Sequence, residues 1–244
     1  MSKRLKFFLS HLAMSSFVAL MVIGVVFFIW YPVPLAQAVG VTHIFLMMLA
    51  IDVVVGPLLG LYVYKEAKKN LKIDLSIIIL IQLIALSYGV YSIAQGRPVW
   101  LAYNVDRFEL VRNNEILTEH IAQALPRYQK PSWLKPQFVG VEFAKDKDVR
   151  SNEMFAELLG GISIAHKPER YVPLERVKQK IQHRAQDLKL LSQFNDRANV
   201  QTVLVKYPQA TAFVPLKANA ADMTVLINRE KGEVVKIVDL RPWK

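Results

Sequence analysis

Three long apolar runs occupy the first part of the chain, at residues 12–30, 41–64 and 73–94, separated by short polar or proline-bearing stretches. An α-helix of about 20 residues spans the roughly 30 Å hydrocarbon core of a bilayer, so each run has the length of a membrane span. The first ends on Trp30 and Tyr31, amphipathic rings suited to a membrane–water interface. Pro32 and Pro34 then stop the helix. Beyond Arg97 the pattern changes to short strand-like runs and amphipathic stretches with charges throughout. The chain therefore divides into a three-helix transmembrane module, residues 1–96, and a small α+β domain with a mostly antiparallel sheet, residues 97–244.

Within that domain, residues 99–104 and 108–112 read as strands around a tight turn at Asn104-Val105-Asp106-Arg107. Short helices are expected over residues 117–125, stopped by Pro126, and over 152–159, stopped by Gly160 and Gly161. The strongest helical pattern runs from Pro173 to Ser192, with Leu174, Val177, Ile181, Ala185, Leu188 and Leu191 on one face and a basic face opposite that is either solvated or in contact with anionic lipid or an acidic partner. Strands are predicted at 137–144, 211–216, 223–228 and 233–240, the last two joined through Arg229-Glu230-Lys231-Gly232 with glycine in the left-handed region.

Charge adds an orientation. The chain carries 31 Lys/Arg and 20 Asp/Glu, a formal net charge of +11. Residues 1–96 hold seven basic and three acidic residues, and 97–244 hold 24 and 17. The seven basic residues of the first segment lie before the first span (Lys3, Arg4, Lys6) and between the second and third (Lys65, Lys68, Lys69, Lys72), while the loop at 31–40 has none. Basic loops stay on the cytoplasmic side, which places the N-terminus inside and residues 97–244 outside, in the periplasm of a bacterial inner membrane. An exported domain makes nucleic acid an improbable partner for the positive charge and leaves the lipid bilayer or an acidic protein. Ala36-Gln37-Ala38 resembles a signal-peptide cleavage site, but the apolar run is long for a signal core and Trp30-Tyr31-Pro32 intervenes. There is no cysteine, hence no disulfide or thiol chemistry.

The second span carries the unusual residues. Asp52 lies near its middle, where an ionised carboxylate costs about 3 kcal/mol on insertion scales. Gly56 and Gly60 follow on nearly the same face at the G-x-x-x-G spacing that lets helices approach closely. Pro57 removes one backbone donor. In the third span Gln82 lies near mid-depth, with Ala85, Gly89 and Ser92 continuing its face. Antiparallel packing of these two stripes would let the Gln82 amide donate to Asp52. Asp52 then reads as a structural contact, as a docking point for a partner's transmembrane helix, or as part of a proton relay. The histidines show no metal-ligand spacing, and neither a nucleophile elbow nor a phosphate-binding glycine loop is present. No enzyme activity or cofactor is expected. Asp106 reads as a turn residue and Glu109 as an exposed strand residue.

Taken in order, Trp30-Tyr31-Pro32, residues 35–40, Ile51-Asp52-Val53-Val54-Val55-Gly56-Pro57-Leu58-Leu59, Gln95-Gly96-Arg97-Pro98-Val99, Val105-Asp106-Arg107-Phe108 and Asp239-Leu240-Arg241-Pro242-Trp243 resemble the type IV pilin accessory protein family known as TfpX/TfpZ, over essentially the whole length. The resemblance implies an inner-membrane protein that assists assembly, or tunes extension and retraction, of type IV pili, with a cognate pilin or the pilus-assembly machinery as partner. It supplies no catalytic residues. Asp52, Gly56, Pro57, Gly60, Gln82 and Gly89 are the residues expected to pack helices or meet a pilin. Asp106, Arg107, Phe108, Arg241, Pro242 and Trp243 are expected either to meet the partner's soluble head or to close the domain. A membrane-anchored sensor or scaffold for another envelope machine is the alternative function, and a membrane-tethered enzyme a further one.

Overall fold

A computed structural model describes residues 1–66 and 68–243, which form two compact units: residues 1–32 with 41–96, and residues 33–40 with 97–244. In chain order the regular elements are α1 (Lys3–Val25), α2 (Leu35–Val39), α3 (Val41–Val63), α4 (Leu71–Gln95), β1 (Pro98–Asn104), β2 (Arg107–Arg112), β3 (Gln137–Val141), α5 (Lys147–Gly160), β4 (Tyr171–Val172), α6 (Leu174–Arg184), α7 (Arg197–Val205), β5 (Ala212–Lys217), β6 (Met223–Asn228) and β7 (Glu233–Val238).

The first unit holds three helices long and apolar enough to cross a membrane, Lys3–Trp30, Val41–Val63 and Leu71–Gln95. The chain is a membrane protein. α1 starts earlier than its apolar run because the Ser2 side chain caps it, accepting from the Leu5 amide. It ends in a π-helical turn, Val26–Trp30. Each span buries a narrow stripe and exposes much of its apolar surface, as helices solvated by lipid do. The Arg4 guanidinium donates to the Leu61 carbonyl at 2.7 Å, satisfying an acceptor left open in the last turn of α3. The Tyr31 hydroxyl, fully buried, donates to the Ile93 carbonyl at 2.8 Å and ties the end of α1 to α4.

The second unit is built on one seven-stranded sheet in the order β4-β3-β1-β2-β5-β6-β7. Four of its six pairings are antiparallel; β1–β3 and β2–β5 are parallel, so the sheet is mixed. β1 is buried along its whole length, which demands cover on both faces. Leu101, Tyr103, Phe108, Leu110, Val214, Leu216, Val225 and Ile227 pack on one face with Val177 and Ile181 of α6. Leu35 and Ala38 of α2 join this core, and the Ala38 carbonyl accepts from the amides of Ala220 and Ala221. That burial is why residues 33–40, read from sequence as a loop of the first segment, cluster with the domain. The opposite face carries two clusters, one around Trp100, Tyr128 and Tyr171 and one around Leu191, Phe213, Leu226 and Leu240.

Several predicted elements end differently. The helix expected over residues 173–192 stops at Arg184. Gln186 exchanges both backbone hydrogen bonds with Phe213, at 2.8 and 3.0 Å, and a 3₁₀ segment at Leu188–Gln193 follows. The apolar series is thereby divided: Val177 and Ile181 serve one face of the sheet, Leu188 and Leu191 the other. The helix expected over 117–125 is only a 3₁₀ turn at Ile121–Gln123, since the Leu117 amide is drawn to the His166 carbonyl and Pro126 disfavours a helical Leu125. The strands expected at 137–144 and 233–240 stop at Val141 and Val238.

A Cβ on Gly140 would lie 2.6 and 2.8 Å from the Val177 methyls, where β3 and α6 touch. Gly140→Ala is predicted to destabilise the protein by about 1–3 kcal/mol, and Val177→Ala in the same chain to recover part of the loss; thermal unfolding of the two variants and the double variant measures the coupling. Glu115 supplies a pH prediction. Burial alone would raise its carboxyl, but hydrogen bonds from the Arg112 guanidinium and amide and from Asn219 outweigh burial and hold it below the ordinary value. A depressed carboxyl stabilises the fold above its unfolded value of about 4.3 and loses that contribution as pH falls through the folded value. Glu115→Gln should therefore be less stable than the unaltered protein at pH 7, with the gap closing on acidification below that range.

Candidate functional site

Polar side chains converge at the middle of the three spans. Ser15 on α1, Asp52 on α3 and Gln82 on α4 each sit near the centre of their helix. The Gln82 carboxamide joins all three: its Nε2 donates to the Ser15 hydroxyl at 3.1 Å and to the Asp52 backbone carbonyl at 2.9 Å, and its Oε1 lies 3.0 Å from His11 Nε2. Because Oε1 only accepts, His11 carries its proton on Nε2 here. His11 Nδ1 is buried without a hydrogen-bond partner among the described residues. A cavity of about 340 Å³ opens beside these groups, lined by Ser10, His11, Ser15, Asp52 and Gln82 among apolar neighbours including Phe7, Met14, Val18 and Leu83.

The small residues make this geometry possible. A Cβ on Gly56 would fall 1.9 Å from Gln82 Oε1, so the carboxamide occupies the space that a side chain would fill. Gly89 accommodates Met48, whose Sδ would lie 2.1 Å from a Cβ there, and Gly60 faces Phe7 of α1 at 2.8 Å. Gly56 and Gly60 thus serve different neighbours, α4 and α1. Pro57 is buried within a helix that continues through it. The Asp52 contact is made by its backbone carbonyl, an acceptor in any protonation state. His11 and Ser15 were missed by sequence reasoning; their signal was present as polar residues at i and i+4 within an apolar helix.

The soluble unit places its named residues in two groups. Phe108 is fully buried, edge-on to Tyr103 and Phe138. Arg107 reaches Asp106 at 3.8 Å, Glu109 at 3.4 Å and Glu157 of α5 at 3.9 Å. Glu109 is not an exposed strand residue: it is buried, because Asn104 donates to its carboxylate at 3.0 Å and Arg107 neutralises it. Burial and the Glu109 charge together push the Glu157 carboxyl up, against the pull of Arg107. Val105, in the turn before Arg107, has φ of 57°, a strained setting for a β-branched residue.

At the other end, the tail folds back on the domain. Arg241 donates to the Asp222 carbonyl and to Asp239, its backbone pairs with the Asn195 side chain at 2.7 and 2.8 Å, Pro242 is buried, and the Trp243 indole donates to Asp222 at 2.6 Å.

These features coincide with a family relationship. A family model for the fimbrial assembly protein FimB matches residues 1–40. The fimbrial assembly protein of serogroup I from Dichelobacter nodosus is 30% identical over 239 residues, covering 94% of this chain and 92% of that protein. This chain belongs to the fimbrial assembly protein family. The serogroup E1 protein of the same organism matches to the same extent, and that of serogroups C1 and C2 is 38% identical over 117 residues, covering 47% of this chain and 88% of the relative. No solved structure matches the chain. The FimB match covers α1 and α2, and with them His11 and Ser15 of the polar cluster.

If Gly56 is vacant to admit Gln82, Gly56→Val should displace the carboxamide and lower the thermal midpoint in detergent, through lost hydrogen bonds of about 0.6–1.7 kcal/mol each. Gly24→Val, where a Cβ meets nothing within 4 Å, should leave it unchanged. In a Gln82→Ala background the Gly56 substitution should lose most of its effect.

Proposed function

We propose that this protein is an inner-membrane accessory factor of type IV pilus assembly, acting on the cognate pilin or the assembly machinery while the subunit still resides in the bilayer. The observation that carries the reading is the mid-span cavity with His11 Nδ1 unpartnered and Asp52, Ser15 and Gln82 on its wall. Polar groups placed in hydrocarbon are expensive unless they meet other polar groups. A cavity presenting an unpartnered ring nitrogen beside a carboxyl group suits a partner helix that brings a polar side chain of its own. The names of the curated relatives support fimbriae as the process. On this reading Gly56, Pro57, Gly60 and Gly89 set the internal packing that shapes the cavity, and Asp52 and His11 face the partner. The distribution of basic residues supports a cytoplasmic N-terminus and a periplasmic domain.

The decisive test is co-purification of the major pilin from the native membrane with the unaltered chain and with Asp52→Ala and His11→Ala. Both substitutions are expected to reduce pilin capture about ten-fold, the equivalent of about 1.4 kcal/mol; Asp52→Ala should retain the thermal midpoint, whereas His11→Ala also removes the bond to Gln82 and should lower it by the equivalent of one such bond. Equal capture by all three would remove the cavity as the contact. A reporter that is active only in the periplasm, fused after Lys244, should be active; a reporter active only in the cytoplasm should be silent there. Loss of the protein should alter surface piliation, whereas unchanged pili would favour a scaffold of another envelope machine.

A further inference from the structure

Helix α5 is amphipathic in the reverse sense. Its inner stripe is Glu153, Ala156 and Glu157, and its outer stripe is Met154, Phe155, Leu158, Leu159 and, just past its end, Ile162. Glu153 is buried, and one of its oxygens is held by Lys167 at 3.2 Å and Arg170 at 2.9 Å; Glu157 is held by Arg107. Leu158 and Leu159 are 79% and 83% exposed. Ordinary surface helices bury the apolar stripe and expose the charged one. Here ion pairs anchor the helix through its charged side, and an apolar row of Met154, Phe155, Leu158 and Leu159, extended past the cap by Ile162, is left exposed. Arg107 thereby acquires a role in presenting α5.

We propose that this outward face of α5 docks an apolar, acid-flanked surface on the periplasmic head of the pilin. The proposal rests on the function given above and adds a second contact to it. Three features select this occupant. The helical part of the apolar row, Met154 to Leu159, is less than two turns long, about 8 Å, far too small for the 1,200 Å² or so of a free-standing interface between two copies. It suits a partner already retained elsewhere, for which a weak second contact gains from high effective concentration. The exposed charges at the start of the helix are Lys145, Lys147 and Arg150 against Asp146 and Asp148, a net charge of +1, with Asp146 also capping the helix through the amides of Asp148 and Val149. The rim is therefore positive and complements an acidic one. A fibre subunit also carries surfaces that polymerisation will bury, and these are exposed while it waits in the membrane.

The test uses the full chain in membranes with the major pilin of the same cell. A photo-cross-linking amino acid at Leu158 or Leu159 should give an adduct with the mass of chain plus pilin, and the same probe at exposed Lys236 should give none. Leu158→Glu with Leu159→Glu should reduce pilin co-purification at least ten-fold while circular dichroism and thermal midpoint stay unchanged, since both side chains are free of the core. Adducts to a second copy of this chain or to lipid would overturn the proposal, as would undiminished pilin capture by the double variant. If the unaltered chain captures no pilin, the function proposed above falls and this contact with it. If the unaltered chain and the glutamate variant capture pilin equally, only the α5 contact falls.

Discussion

A carboxamide in the middle of a hydrocarbon layer has two donors and an acceptor to satisfy, and water is not there to do it. Gln82 meets that demand by drawing on both neighbouring spans: Ser15 and His11 from α1, the Asp52 carbonyl from α3. Apolar helix surfaces in lipid have little reason to choose one packing over another. A polar hub with named partners does, because any rotation or slide of a helix strands a buried group. Gly56 is the complement of the hub, vacating the volume that Gln82 fills. The cavity with its unpartnered His11 nitrogen lies beside the same groups, the rest of its wall supplied by apolar side chains.

The soluble unit answers a different constraint. A sheet with parallel pairs at its centre is covered on both faces, and a chain of this length must cross between faces to supply the cover. It crosses at Ala185–Asp187, where backbone pairing with Phe213 replaces further helix. Residues 33–40, which connect two membrane helices, are recruited into the core at Leu35 and Ala38. The second unit is therefore assembled from two chain segments that flank α3 and α4 in sequence. The tail also lies back on this unit, with Arg241 and Trp243 hydrogen-bonded to Asn195 and Asp222 and Pro242 buried.

Polarity in the two units runs opposite to the usual expectation at the places assigned to function. In the membrane, polar groups gather inside an apolar bundle; on α5, apolar side chains face outward while glutamates face in. Each arrangement keeps a surface available that ordinary packing would have consumed.

The three spans, their basic flanks and the β-rich domain were legible in the sequence because they depend on local quantities: run length, alternation and the placement of prolines and glycines. Asp52, Gly56 and Gln82 were legible as unusual residues for the same reason. Gln82 was expected to donate to Asp52; its other partners were not expected. His11 and Ser15 enter through the crossing of helices distant in sequence, and the reach of the Gln82 amide to the Asp52 backbone carbonyl is a matter of ångströms. Local pattern likewise misread residues 173–192, whose apolar period is continuous although a non-local pairing with Phe213 ends the helix at Arg184. It also assigned Glu109 to the surface, because burial of a carboxylate depends on Asn104 and Arg107 arriving beside it. Sequence alone determined what must leave water; the tertiary structure decided which polar groups meet once it is gone, since hydrogen-bond and ion-pair partners are set by distances that only the packed chain defines.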